Sequence, residues 1–336
     1  MATDSSTWTL GQISSGFRTL VDVSKKVRHA SQPLLKARQF VRSVDSFGKN
    51  RGETVDIYRV PNSGEVESTT TIPDGDPIPT TTIGQSRRSV TVNQYGKAIP
   101  WTGMVESLAE VDVENEVVLK ALKNHMAKSL DTLVVNALET SDLIFIPTGA
   151  ASYVWDVDGT PSTAALSNIT TYHLKQIVDA MMSGELRNSD GTSAGADMRP
   201  VPFYEDDYYI ALCSVKFLRG IHDDPNFESV SLYANSEGYY KGEIGRMPYY
   251  HTRFVLSNHI TAISNGVGTN SVLGEALIFG EEPVVEAVVQ PEEIREKIPG
   301  NFGLDKALAW YYLGGFGKVW DYSADSEEHV IRVSSS

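Results

Sequence analysis

The chain has 336 residues, 41% of them hydrophobic, and a formal net charge of -14. That length and composition suit about two domains with ordinary cores, and the negative charge argues against a dedicated nucleic-acid-binding protein. The single cysteine, Cys213, excludes an intrachain disulfide and a thiolate zinc site.

The first 50 residues form a basic segment that has too few apolar residues for a compact core of its own. A helix is predicted at Pro33–Phe47, because proline suits a first helical turn and Gly48 can end the helix. Nine Lys or Arg and two Asp between Arg18 and Arg51 give a local charge of +7. This segment either lies on an acidic surface, such as that of a sister subunit, or presents a solvated charged face. The N-terminus also lacks the features of a signal peptide, and no apolar run is long enough to span a membrane.

A long hairpin is predicted next. Glu53–Val60 and Ser89–Tyr95 alternate in polarity as half-buried strands do. Between them, Pro61–Arg88 is rich in Thr, Pro, Gly and Asp, and such long irregular segments are functional or disordered. A lone two-stranded ribbon is marginally stable in water. We therefore expect it to project and to find support on another molecule, the alternative being a flexible surface loop.

The most regular stretch of the chain is Asp112–Glu139, which contains no Gly or Pro. Its apolar residues recur with the three-and-four spacing of one helical face, while charged residues, Asp131 among them, fall on the other side. Asp112 is the predicted N-cap. At about 1.5 Å per residue the helix is about 42 Å long, which favours a spine on which other elements pack.

The rest of the chain alternates between strands and helices. A strand-like segment follows the spine, and then a helix is predicted after Thr170 that ends at Gly184. Arg187–Pro200 is typical of a linker or surface loop. The segments predicted beyond it are a buried strand YYIALCSV, a short helix VKFLRGI, two strands around residues 280–283, and a hairpin turning at Gly314–Gly315.

Catalytic signatures are missing from the sequence: there is no GxSxG, HExxH, GxxxxGK or CxxC motif. His222-Asp223-Asp224 could supply metal ligands, but a helix end and loop is the better interpretation. Asp156-x-Asp158-Gly159 begins like a calcium loop, yet Pro161 stands where that loop needs glycine. We therefore assign no catalytic, cofactor-binding or metal-binding residue and expect no cofactor.

From Met198 onward the order of segments resembles a known family. The segments are YYIALCSV, VKFLRGIHDDPNF, GEIGRMPYYHTRFVLSNH, ALIFGEEPVVEAVV and PGNFGLDKALAWYYLGGFGKVW. Together with NQYGKAIPWT and the spine, they look like the major capsid proteins of tailed phages, in the branch of the N-four-like podoviruses. Those proteins are similar in fold to the Hong Kong 97 phage head protein. The resemblance covers about residues 50 to 322.

The resemblance implies an α+β fold of the Hong Kong 97 type. Its expected parts are an N-terminal arm at 1–50, an extended loop (β-ribbon) at 51–100, a peripheral domain at 101–200 with its spine helix at 112–139, an axial domain at 201–300, and a return hairpin to the peripheral domain with the C-terminal tail at 301–336.

The function that the resemblance implies is self-assembly into the icosahedral head that encloses double-stranded DNA. Its expected location is the virion, after assembly in the host cytoplasm. The partners would be copies of the chain in hexamers and pentamers, a portal, a separate scaffolding protein and a cementing protein, with packaged DNA bound non-specifically and no membrane. Some relatives cross-link through a lysine of the extended loop, but Pro61–Arg88 contains no lysine. Stabilisation without covalent links is therefore expected.

We expect contact residues instead of catalytic ones. The hypothesis is that arginines at the ribbon base pair with acidic groups on a neighbouring subunit, while two aspartates mark the ribbon tip: Arg51, Arg59, Arg87, Arg88, Asp74 and Asp76. Two alternatives remain open. One is another virion subunit, of a tail or an adhesin, and the other is a hydrolase whose site is assembled in space.

Overall fold

The computed structural model describes residues 36–44, 52–60, 71–75, 77–78, 80, 84–109, 112–159, 167–225, 250–257, 259–260, 274–298, 302 and 304–335. Its strands are β1 Arg42–Val44, β2 Thr54–Arg59, β3 Ser86–Thr91, β4 Asn93–Thr102, β5 Ile144–Gly149, β6 Ser152–Asp156, β7 Tyr209–Cys213, β8 Thr252–Leu256, β9 Gly274–Phe279, β10 Val284–Glu296, β11 Asp305–Lys318 and β12 Val330–Ser335. Its helices are α1 Gly103–Leu108, α2 Leu119–Leu138, α3 Thr171–Ser183, α4 Val215–His222 and α5 Tyr322–Asp325, with a 3₁₀ turn at Ala37–Phe40 and a π-helical segment at Val113–Val118.

These strands form two sheets and a ribbon. The six-stranded sheet has the order β6-β5-β12-β9-β7-β8, the four-stranded sheet has the order β1-β10-β11-β4, and β2 pairs with β3 alone. The chain passes between these two sheets after β4, after β9 and after β11. The six-stranded sheet draws strands from the predicted ranges 101–200, 201–300 and 301–336. The sheets therefore do not follow those ranges, because backbone hydrogen bonds join strands that are distant in sequence.

The predicted spine helix is present. Val113–Val118 and α2 run on without a break, and the Asp112 carboxylate accepts a hydrogen bond from the backbone N–H of Asn115 at 3.0 Å. Buried Leu122 and Leu130 pack with Trp310 of β11, so the helix lies along the four-stranded sheet.

Asp131 corrects one part of the helix prediction. The helical pattern predicts that it lies on the solvent face, but it is only 2% exposed. Its Oδ1 accepts from the backbone N–H groups of Ala37 at 2.9 Å and Arg38 at 3.3 Å, where the 3₁₀ turn begins. The first N–H groups of a helical turn have no partner inside it. The spine therefore supplies the missing acceptor for the N-terminal segment.

The helix predicted at Pro33–Phe47 is wrong over the residues that the structure describes. Only one 3₁₀ turn forms, and β1 then pairs in parallel with β10. The ring of Phe40 packs edge-on against Phe279 at 5.5 Å between centroids. Pairing with β10 and contact with the six-stranded sheet override the local helical pattern.

Helix α3 begins and ends where predicted. The Nδ1 atom of His173 accepts from the backbone N–H of Thr170 at 3.1 Å, and Gly184 ends the helix with φ +80°. The Asp224 carboxylate also accepts from the backbone N–H of Thr171 at 2.8 Å. Helix α4 ends at His222, so the His222–Asp224 segment is the predicted helix end and loop.

The hairpin predicted at Gly314–Gly315 is wrong, because β11 runs through both glycines and pairs antiparallel with β10 and β4. The glycines provide space instead of a turn. A Cβ at Gly315 would collide with the carbonyl oxygen of Thr91, and one at Gly317 would lie 2.8 Å from Cγ2 of Val90. The missing side chains let β3 cross close over β11.

Several other predictions are confirmed. Strands β7, β9 and β10 and helix α4 lie where the sequence placed them. The segment 187–200 is a surface loop. It connects parts of the chain that share one hydrophobic core, to which Met181, Met198 and Tyr209 belong. Burial raises the pKa of the Cys213 thiol to about 12, so this thiol is chemically inert. In the described part of the chain, no helix is both long and apolar enough to cross a membrane.

Candidate subunit-contact site

The ribbon formed by β2 and β3 is attached to the body of the protein by one of its two faces. Thr54 lies opposite Thr91 and Arg59 opposite Ser86, so the pairing covers six residues on each strand. Val55 and Val90 are buried against Ala287 of β10. Because side chains alternate along a strand, the inner face carries Val55, Ile57, Arg59, Ser86, Arg88 and Val90.

Arg59 is the most buried charged residue of the ribbon, with a side chain only 4% exposed. Its Nε donates to Ser86 Oγ at 2.7 Å, and its two terminal nitrogens donate to the carbonyl oxygen of Val319 and the carboxylate of Asp325. The guanidinium also lies 5.9 Å from the ring centroid of Trp320. A buried guanidinium needs this many partners to offset its loss of water.

Arg88 makes the second ionic contact, from the other strand, with the carboxylate of Asp321. The same carboxylate accepts from the backbone N–H of Ser323 at 3.1 Å and so caps α5. Burial alone would raise the pKa of Asp321. Hydrogen bonds from Ser323 and the charges of Lys318 and Arg88 outweigh it, and the pKa is held below its usual range.

The structure thus gives three predicted contact residues a carboxylate within the chain. Arg59 and Arg88 face inward, whereas Arg87 faces outward and pairs with Asp56 across the ribbon at 3.3 Å, with 62% of its side chain exposed. Asp74 lies in an exposed turn, and Arg51 and Asp76 fall outside the described residues. Pairing of these residues with a neighbouring subunit stays a prediction, and Arg87 is the most exposed of the three described arginines.

Sequence reasoning missed Asp321 and Asp325, the partners of the inner arginines. The pairs Arg88–Asp321 and Arg59–Asp325 are separated by 233 and 266 residues. The only local signal is two aspartates four residues apart after a long strand, a spacing that many solvated turns share.

Large apolar side chains are exposed on the ribbon and on the described part of the connection between its strands. Tyr58 is 73% and Ile78 is 76% exposed, and Val60 and Ile72 are exposed as well. Single exposed apolar residues are ordinary, but several in one hairpin and its connection are typical of a surface that another molecule covers.

The N-terminal segment is a second ionic attachment. Arg38 bridges Glu286 and Glu292, with N–O distances of 2.8 Å to each, and Arg42 pairs with Glu282. Burial by itself would lower the pKa of Arg38, but hydrogen bonds to both glutamates raise it. For the described residues, the acidic surface under the basic arm therefore belongs to the same chain.

One cavity, of about 460 Å³, opens between α2 and the four-stranded sheet, and Tyr95, His125, Lys128 and Trp310 are among its lining residues. The indole Nε1–H of Trp310 donates to His125 Nδ1 at 3.1 Å. Burial and the charges of Lys97 and Lys128 lower the pKa of His125. Because Nδ1 of His125 accepts this hydrogen bond from the indole, we interpret His125 as a packing residue. Within the described residues, no group of three His, Cys, Asp or Glu side chains is placed to hold a metal ion.

The fold of this chain is similar to that of several solved phage capsid structures. The capsid structure of Helicobacter pylori bacteriophage KHP30 matches with a TM-score of 0.68 and 12% identity, covering 98% of this chain and 99% of that chain. The head structure of Helicobacter pylori bacteriophage KHP40 gives 0.69 and 12%, with 98% and 99% covered. The chain has a phage capsid-protein fold. The cyanophage Pam1 capsid also shares this capsid-protein fold, with a TM-score of 0.65, 14% identity and 96% and 97% coverage. No protein-family model and no curated protein matches the sequence significantly.

Proposed function

We propose that the protein is the major capsid protein of a tailed phage, which self-assembles into the icosahedral head and encloses double-stranded DNA. The match of nearly the whole chain to nearly the whole of several phage capsid chains carries this proposal. The same function places the protein in the virion, after assembly in the host cytoplasm. Assembly of this kind needs binding surfaces and no catalytic group.

The proposal extends to the parts of the subunit. The six-stranded sheet with α3 and α4 would be the axial domain of a Hong Kong 97-like fold, and the four-stranded sheet with α2 would be its peripheral domain. The ribbon would be the extended loop that lies on a neighbour, which its exposed Tyr58 and Ile78 support. The N-four-like branch rests on the order of the sequence segments alone.

The partners would be copies of this chain in hexamers and pentamers, together with a separate scaffolding protein, a portal and a cementing protein. Packaged DNA would touch the shell non-specifically. Lys120, Lys123 and Lys128 are exposed on α2, and Asp131, its acidic residue, is buried. The exposed lysines of α2 suit weak, non-specific contact with phosphates, and the partly exposed Glu114 and Glu116 of the preceding π-helical segment balance part of their charge.

Deleting the outer ribbon tests the proposal. Residues 62–84 are replaced by a short turn, which leaves Arg59, Ser86 and the inner contacts in place. We expect soluble subunits with the circular dichroism of the wild type that form no closed shells in negative-stain micrographs, whereas the wild type forms them. Failure of the wild-type protein to form shells, alone or with its scaffold, would contradict the proposed function.

A point variant refines this test. Ile78→Asp places a charge at an exposed apolar position of the ribbon, and Ile78→Val keeps that position apolar. We expect Ile78→Asp to lower the yield of shells by about tenfold or more, as a loss of about 1.4 kcal/mol per contact predicts. Equal shell yields for the two variants would show that this part of the ribbon contacts no neighbour.

A further inference from the structure

The ionic groups beneath the ribbon base form one cluster. The cluster has four carboxylates, of which Asp321 and Asp325 belong to α5 and its N-cap and the others are Asp142 and Glu328. Its three cations are Arg59 and Arg88 of the ribbon and Lys318 of β11. Lys318 Nζ lies 2.7 Å from Glu328 and 3.8 Å from Asp142. The ribbon thus supplies two of the three cations of this cluster.

The contacts on the ribbon are arranged at two points. Arg59 lies on β2 and Arg88 on β3, and both belong to the inner face. One holds Asp325 at the end of α5 and the other holds Asp321 at its start. Two attachments on different strands restrict rotation of a ribbon about its own axis, which a single attachment does not. Close packing of β3 over Gly315 and Gly317 adds a third point.

We propose that Asp321–Asp325 is a clasp that fixes the direction in which the ribbon leaves the subunit, with Asp321 and Asp325 as positioning residues for shell assembly. The clasp is built within one chain and is complete before a neighbour binds. A ribbon of two strands has little stiffness of its own. Fixing its direction in the free subunit removes part of the ordering cost that assembly would otherwise carry. The importance of the clasp for shell closure rests on the proposed function.

The chain provides a matched control at the next residue. Arg87 and Arg88 are adjacent on β3, so they face opposite sides of the ribbon. Arg88 reaches the clasp, whereas Arg87 pairs within the ribbon with Asp56. Arg87→Asp and Arg88→Asp change the amino-acid composition and the net charge in the same way, but only Arg88→Asp removes a clasp contact.

The test measures ribbon direction in the isolated subunit. Spin labels are placed at Gln85→Cys, just outside β3, and at Asn136→Cys on α2, both exposed positions, while native Cys213 is buried. We expect a narrow distance distribution in the parent protein and in Arg87→Asp. Arg88→Asp and Asp321→Arg should each broaden it, and the double exchange Arg88→Asp with Asp321→Arg should narrow it again in part, because it restores the ion pair but not the cap of α5.

Shell yield is measured, without labels, on the variants that change the clasp. We expect the single reversals Arg88→Asp and Asp321→Arg to reduce closed shells by at least about tenfold, equivalent to about 1.4 kcal/mol. The double exchange should recover part of this yield, because the ion pair returns while the cap of α5 does not. Asp321→Asn and Asp325→Asn give milder variants in case a reversal fails to fold. Narrow distributions in the folded single variants would overturn the clasp. Because distances are measured on free subunits, that outcome is distinct from failure of the wild-type protein to assemble, which would overturn only the proposed function.

Discussion

Asp131 shows how one side chain can join segments that are far apart in the chain. Its Oδ1 accepts hydrogen bonds from the backbone N–H groups of Ala37 and Arg38. Its Oδ2 lies 3.1 Å from Nδ1 of His259. Both side chains are nearly inaccessible to solvent, so water cannot replace the contacts. A carboxylate in this position determines where the N-terminal segment crosses the spine helix.

Replacing Asp131 tests that role. Asp131→Ala leaves two backbone N–H groups without an acceptor, and an unsatisfied buried group costs about 1–3 kcal/mol. We therefore expect a lower free energy of unfolding in urea and faster hydrogen exchange at Ala37 and Arg38. Thr132→Ala, at the exposed neighbouring position, is the control and should leave both unchanged. Unaltered exchange at Ala37 would contradict the assigned contact.

For single residues, the sequence predicts burial correctly where burial depends on residues that are adjacent in the sequence. Cys213 lies in an apolar run, and its burial followed directly from that run. Asp131 lies at a polar position of a helical pattern, and its burial depends on a segment about 93 residues away. Helical periodicity contains no information about such a partner, so the solvent-facing assignment failed.

Among the elements, β11 connects most of the features of the site. It lies between β10 and β4, its residues Trp310 and Tyr312 pack against α2, and its glycines admit the ribbon. A single element therefore sets the distance between the spine helix and the ribbon.

Adding one methyl group to β11 tests this arrangement. Gly315→Ala would push against the backbone of Thr91, and overpacking of this kind costs about 1–3 kcal/mol. We expect a lower melting temperature and faster protease cleavage in the ribbon. Gly84→Ala is the matched control, because no atom lies within 4 Å of its added Cβ. Protease resistance equal to that of the wild type would refute the close crossing.

Elements with a clear period were predicted well and elements defined by their neighbours were not. The spine, α3 and β7 have regular apolar spacing or strong end signals, and all three were confirmed. Gly314–Gly315 has the composition of a turn, and the arm has the composition of a helix. What decides these two cases is the packing of β3 and the pairing with β10, neither of which is local.

Across the whole molecule, buried ion pairs flank the central strand β12. Glu275 lies 3.1 Å from Arg332, and Glu328 lies 2.7 Å from Lys318. The pKa of each carboxyl is raised to about 7, mainly by burial. The negative charge of Glu139 raises the pKa of Glu275 further, and the charges of Asp142 and Asp321 do the same for Glu328. The cations oppose the rise without cancelling it.

These pKa values predict a pH dependence of stability. Between about pH 4.5 and about pH 7 the folded protein keeps protons that the unfolded chain releases, so stability falls as pH rises. We expect the melting temperature of the free subunit to be higher near pH 5 than near pH 8. Glu328→Gln should flatten this dependence, whereas Glu185→Gln, at an exposed position, should not. A melting temperature that rises over this range would contradict the assignment.

The phage capsid-protein fold was predicted from the order of segments, and the comparisons confirm it. The boundaries of its domains and the branch of the family stay predictions. The contacts of the candidate site could not be predicted, because the ribbon arginines and their aspartates come from opposite ends of the sequence. Charge pairing between such distant segments is decided by the fold as a whole.

Strand β12 lies between β5 and β9, and Ser335 at its end is fully buried. During synthesis, β5, β6 and β7 to β9 leave the ribosome first, yet they remain two separate half-sheets until residues 330–335 follow. Contacts between residues that are far apart in the sequence form slowly, and an unpaired strand edge can pair with the wrong strand. A growing chain therefore cannot complete the six-stranded sheet, or any surface that depends on it, before residues 330–335 are free to pair.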